Sequence, residues 1–171
     1  MDILLSPPGC GPVFKYLFKK HEELETIRIE FDVRSDVRSD EDEWSTEDVK
    51  DIVFTIFSNL NLRSITIDHI RNTGDIVGRL PSTLPNLEKL VLTNWRSLSD
   101  QGLINILNMS RSSLRELDLS YSYITGVGVE EGVNSLPNLE VLNLSFCRDL
   151  TDGGLKEDLK FSNNKLKFLD L

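Results

Sequence analysis

Six times along this chain, apolar side chains fall into the frame L-x-x-L-x-L. The copies are Leu24, Ile27 and Ile29; Leu62, Ile65 and Ile67; Leu87, Leu90 and Leu92; Leu114, Leu117 and Leu119; Leu139, Leu142 and Leu144; and Leu166, Leu169 and Leu171. The first leucines of the last five copies lie 25, 27, 25 and 27 residues apart. Such a period means that each copy is one supersecondary unit that cannot bury its apolar face alone, so that neighbours must stack to make a continuous core. Within the frame, the fourth and sixth residues share one face of a short strand, because side chains alternate along a strand with period two. The fullest copy runs from Leu139 to Leu155, LEVLNLSFCRDLTDGGL. There Cys147, three residues past Leu144, turns the chain inward, Leu150 fills the turn, and Leu155 belongs to a helix returning on the outside.

The residues from Leu139 to Leu155, with Cys147 and the following LTDGGL, resemble the cysteine-containing class of leucine-rich repeats known from F-box/leucine-rich-repeat proteins. LSDQGL, Leu98 to Leu103, repeats the second half of that motif, whereas Trp95, Ser122 and Ile70 hold the cysteine position of the other copies. The resemblance implies an α/β fold: a right-handed solenoid bent into a horseshoe arc, with a parallel sheet on its concave face and helices and loops on its convex face. It also implies a module that presents substrates to a cullin-type (SCF) ubiquitin ligase. No F-box sequence precedes the repeats within residues 1–171, so ligase subunits would be reached through a region missing from this chain. The alternative is a leucine-rich sensor, scaffold or adaptor array, such as the repeat region of an immune receptor.

The whole of 1–171 reads as one domain of about six repeats, incomplete at both ends. Asp2 to Ser6 resemble the tail of a strand, and a helix is expected over 13–20. The first interval, Leu24 to Leu62, is 38 residues because 32–43 form an acidic insertion in which Val-Arg-Ser-Asp occurs twice. Strands are expected at Thr26–Phe31, Ser64–Asp68, Lys89–Thr93, Glu116–Ser120 and Val141–Ser145. A helix capped by Ser45 should bury Val49, Ile52, Val53, Ile56 and Phe57. Further helices are expected at Asp100–Met109, Gly126–Val133 and Asp152–Leu159, with Asp100 and Asp152 as caps. Gly74, Gly78, Pro81 and Pro85 leave only a short helical piece between 72 and 84, and the glycines of 126–133 shorten that helix too. Neither end shows the polar cap that a solenoid uses to cover its last apolar face.

If the frame leucines point inward, the fifth, seventh and eighth residues line the concave sheet and its rim. The eighth column is Phe31, His69, Asn94, Tyr121 and Phe146; the fifth contains Asp118 and Asn143. Tyr121 and Phe146 are adjacent, with Trp95 and Tyr123 nearby in the loops. Rim aromatics are good anchors for a protein partner. The candidate partner-binding set is therefore Phe31, His69, Asn94, Trp95, Asp118, Tyr121, Tyr123, Asn143 and Phe146.

Other functions are disfavoured. A net charge of −9 speaks against nucleic acid, whose phosphates need a basic face. No apolar run approaches the ~20 residues of a membrane span. With only Cys10 and Cys147, a disulfide-stabilised extracellular domain is not indicated, and a reducing compartment, cytoplasmic or nuclear, is expected. His21 and His69 have no nucleophile that forms a catalytic pair with them, so no enzyme activity and no cofactor are expected. No metal site is expected, because cysteine and histidine do not cluster. Cys147 is read as a packed thiol whose S–H meets a backbone carbonyl.

Overall fold

The structure is a computed structural model that describes residues 2–5, 23–31, 46–70, 83–150 and 165–171. The expected helices at 13–20 and 152–159, the insertion at 32–43, Ser45, Asp152 and most of 72–84 lie outside the described residues. Seven strands form a single parallel sheet in strict chain order: β1 (Asp2–Leu5), β2 (Thr26–Phe31), β3 (Ser64–Asp68), β4 (Lys89–Thr93), β5 (Glu116–Asp118), β6 (Val141–Asn143) and β7 (Phe168–Asp170). The register is that of the sequence frame. Ile27 pairs with Ile65, Ile65 with Leu90, Leu90 with Leu117, Leu117 with Leu142 and Leu142 with Leu169, so fourth positions stack in one row. The molecule is an α/β leucine-rich-repeat solenoid arc.

The core follows from the same alternation. Ile27, Ile29, Ile65, Ile67, Leu90, Leu92, Leu117, Leu119, Leu142 and Leu144 are all buried. Helix α1 (Thr46–Phe57) contributes Val49, Ile52, Val53, Ile56 and Phe57 to the same core, the stripe its spacing predicts. β5 and β6 end two residues earlier than expected. Asp118 Oδ1 accepts the Ser120 N–H at 2.9 Å, and Asn143 Oδ1 accepts the Ser145 N–H at 3.0 Å. These local side-chain acceptors set a turn at the end of each strand, past which the Leu119 and Leu144 N–H groups still donate to the carbonyls of Asn143 and Asp170, at 2.9 and 2.8 Å.

The convex helices α2 (Asp100–Met109) and α3 (Gly126–Val133) pack against each other. The cap of α2 is Ser99, not Asp100: its hydroxyl accepts the Gly102 N–H at 3.0 Å. The serine one residue earlier has the extended backbone a cap needs, which leaves Asp100 in the first turn with its carboxylate directed to the next repeat. There Asp100 accepts both the backbone N–H of Thr125, at 2.9 Å, and its hydroxyl, at 2.6 Å. Thr125 is in turn the cap of α3. The glycines of α3 are what allow this approach: a Cβ on Gly128 would lie 2.4 Å from Asp100 Oδ1, and one on Gly132 would lie 2.8 Å from Leu107 Cδ1.

Candidate functional site

The backbone sets the concave rim. Past the sixth residue of the frame, four repeats place their eighth residue in the left-handed region: His69 (φ 61°), Asn94 (φ 56°), Tyr121 (φ 62°) and Phe146 (φ 60°). Asparagine and histidine are the ones among these that enter that region more readily; for Tyr121 and Phe146 it costs about 1–2 kcal/mol. The turn extends the hydrogen-bond ladder by one step. The amides of His69, Asn94 and Tyr121 donate to the carbonyls of Thr93, Ser120 and Ser145, at 3.2, 3.0 and 3.0 Å. It also breaks the alternation, so the eighth side chain leaves the core and the ninth enters it.

That switch sorts the candidate residues. Tyr121 and Phe146 stand out into solvent, 52% and 67% exposed, with their rings stacked at 4.7 Å between centroids and 12° between planes. Tyr123 is also exposed, and the Arg96 guanidinium sits 5.7 Å from its ring centroid. Asn94 and His69 are half-buried at the rim. Asp118 and Asn143 are half-buried on the concave strands and joined by the Asn143 amide, which donates to Asp118 Oδ2 at 3.0 Å.

Two expected residues do not belong to this surface. Phe31 is 2% exposed: β2 continues through it without the left-handed turn, so the alternation of Ile27 and Ile29 carries it inward. Trp95 is fully buried, because it occupies the ninth position, the inward one. Ile70, Ser122 and Cys147 hold that position in other repeats and are buried as well. There Ser122 Oγ donates to the Leu92 carbonyl at 3.1 Å, and Cys147 Sγ donates to the Leu119 carbonyl at 3.1 Å. Burial pushes the Cys147 thiol above its ordinary pKa. It is a packed group, not an accessible nucleophile.

A second pattern runs along the sheet edge and was not read from the sequence. The second residue of successive frames is Glu25, Arg63, Glu88, Arg115, Glu140 and Lys167. Arg63 bridges Glu25 (3.7 Å) and Glu88 (2.6 Å), while Glu140 bridges Arg115 (2.8 Å) and Lys167 (2.7 Å). The signal was available: once the register is fixed, the signs alternate in the sequence.

A leucine-rich-repeat family model matches residues 111–131 and 135–157. No curated protein matches the chain. Among solved structures, the leiomodin-1 actin-binding site 2 aligns over 96% of this chain and 80% of its own, at 14% identity and a TM-score of 0.47. A chain of the yeast Rad7–Elc1 complex aligns over 92% of this chain and 46% of its own, at 21% identity and a TM-score of 0.51. The chain thus spans just under half of that neighbour. Among the described residues, no helix is long and apolar enough to cross a membrane.

Proposed function

We propose that this chain, a leucine-rich-repeat protein by fold and by repeat sequence, is a non-catalytic recognition module that seats a protein partner on its concave rim at Tyr121 and Phe146. We further propose that the partner is a substrate of an SCF-type ubiquitin ligase. The observation that carries the site is the stacked aromatic pair. Two large rings are held in solvent on a strained backbone, beside the half-buried polar groups of Asp118 and Asn143. Pre-stacked rings lose little side-chain freedom on binding, so most of their apolar area is available to a partner. The ligase reading is supported by the likeness of Leu139–Leu155 to the repeats of F-box proteins. A chain of similar fold in the Rad7–Elc1 complex supports a role in a stable assembly.

The test is affinity purification of the endogenous gene product, tagged at its own locus, comparing wild type with Tyr121→Ala/Phe146→Ala. Loss of two anchor rings should cost at least ~2 kcal/mol of binding, roughly a thirtyfold loss of affinity, with little change in Tm. Cullin-ligase subunits should co-purify with the partner. Full partner retention by the double variant would remove the aromatic pair as the site. Partner binding without ligase subunits would remove the ligase role and leave a scaffold.

A further inference from the structure

The N-terminal half of the concave face carries a different chemistry. Glu30 and Asp68 are register partners on β2 and β3, so both seventh-position carboxylates stand on the same side of the sheet. His69 follows in its left-handed turn. One ligand atom from each of Glu30, Asp68 and His69 can be chosen so that all three lie within 4.8 Å of one another. The geometry points to a binding site for a borderline divalent cation, Zn²⁺ foremost, held by the Glu30 and Asp68 carboxylates and His69 Nδ1.

Three features give this cluster the form of a ligand set. First, His69 Nδ1 is itself shielded from solvent, although the side chain as a whole is 38% exposed, and it makes no hydrogen bond within the protein. It lies 3.1 Å from Asp68 Oδ2, but without the alignment of an N–H···O bond, so proximity there is not satisfaction. A solvent-shielded ring nitrogen with no bonded partner is costly unless something else meets its lone pair or proton. Second, Asp68 is oriented. Its Oδ1 accepts the His69 N–H at 2.8 Å and the Thr93 hydroxyl at 2.5 Å, which directs Oδ2 to the nitrogen. This is the outer support that metal-binding carboxylates use. Third, the spacing is near what a metal requires. Ligand atoms around tetrahedral Zn²⁺ are roughly 3.4 Å apart, which the Asp68–His69 pair already matches, and rotation of the long Glu30 side chain closes the remainder. An imidazole with two carboxylates suits Zn²⁺ and neighbouring transition ions better than Ca²⁺ or Mg²⁺, which favour all-oxygen shells. Water would complete the fourth position. The site is independent of the aromatic pair, so each can fail without the other.

The experiment is a Zn²⁺ titration of the full chain carrying Cys10→Ser, which removes a competing thiol. Affinity is read by competition with a chromophoric chelator, and the imidazole signals of His69 are followed by NMR. One equivalent should bind, with a shift of the His69 ring signals. Glu30→Gln and His69→Asn should each weaken binding more than tenfold, and Thr93→Val about tenfold through loss of the outer support. Asparagine is chosen because Asn94 already occupies the equivalent left-handed position, so the fold is retained. Absence of binding up to about 1 mM Zn²⁺ would overturn the inference. So would binding unchanged in both ligand variants, or binding that leaves the His69 ring signals in place.

Discussion

Trp95 and Tyr121 differ by one repeat and one position, and the backbone sends them in opposite directions. The left-handed turn at the eighth residue projects Tyr121 outward, and the ninth residue returns to the core with Trp95. Trp95→Ala should therefore cost about 3–5 kcal/mol in urea unfolding, because it removes the largest fully buried side chain among the described residues. Tyr121→Asn should stay within about 1 kcal/mol of wild type. It removes a stacking contact worth about 0.5–1.5 kcal/mol and relieves backbone strain of about 1–2 kcal/mol. Equal losses for the two substitutions would contradict this division of roles. The burial of Trp95 was legible, since it shares its frame position with Cys147, whose inward packing the sequence does indicate. Its aromatic character drew it into the rim instead. Phe31 was not legible: nothing local marks β2 as the strand that continues past its seventh residue. Cys147 itself should resist iodoacetamide in the folded Cys10→Ser chain and react fully in urea. Its raised pKa and buried sulfur both suppress the thiolate that alkylation needs. Equal rates in the two states would show an accessible thiol.

At the scale of elements, α2 and α3 are tied together on the convex side by a side chain from one helix bonded to the cap of the next. Asp100, in the first turn of α2, accepts two hydrogen bonds from Thr125 at the start of α3, and Gly128 leaves room for it. The starts of β2 to β6 and the positions of α2 and α3 were readable from the repeat frame. The glycines were read only for their cost to helix stability, because propensity is a property of one segment. Their benefit is a property of two segments in contact, which no single-segment pattern displays. Gly128→Ala should destabilise by roughly 1–3 kcal/mol, since the added methyl meets Asp100 Oδ1, Cγ and Cβ. In an Asp100→Ala background, two of those three atoms are gone, so the same substitution should cost clearly less. A double-mutant cycle on thermal or urea unfolding measures the coupling. Additive effects would mean that Gly128 serves α3 alone and that Asp100 does not hold the helices in place.

Across the whole molecule, a solenoid has no contact between distant repeats, so its cohesion is a chain of nearest-neighbour interfaces. The leucine rows supply most of each interface but carry little information about register, because one leucine row fits another in several ways. The second-position charges add that information. Glu25, Arg63, Glu88, Arg115, Glu140 and Lys167 alternate in sign, so neighbours in register meet unlike charges. Glu140 is the clearest test, because both its neighbours are cationic. The hydrogen bond from Lys167, with smaller contributions from that charge and from Arg115, holds its carboxyl below the usual glutamate range. A depressed carboxyl binds fewer protons folded than unfolded, so its stabilisation is present above the unfolded pKa and fades as pH falls through the lowered folded value. Glu140→Gln should therefore lower Tm at pH 7 and flatten the acid limb of the Tm profile below about pH 4.3, where free glutamate titrates. Glu140→Lys should lower Tm further, by placing three cations in succession, and added salt should reduce that loss, because the flanking Arg115 and Lys167 are exposed and screened. A loss independent of both pH and salt would mean that Glu140 acts through packing, and the alternating column would then be a by-product of composition, with register set by the leucine rows alone.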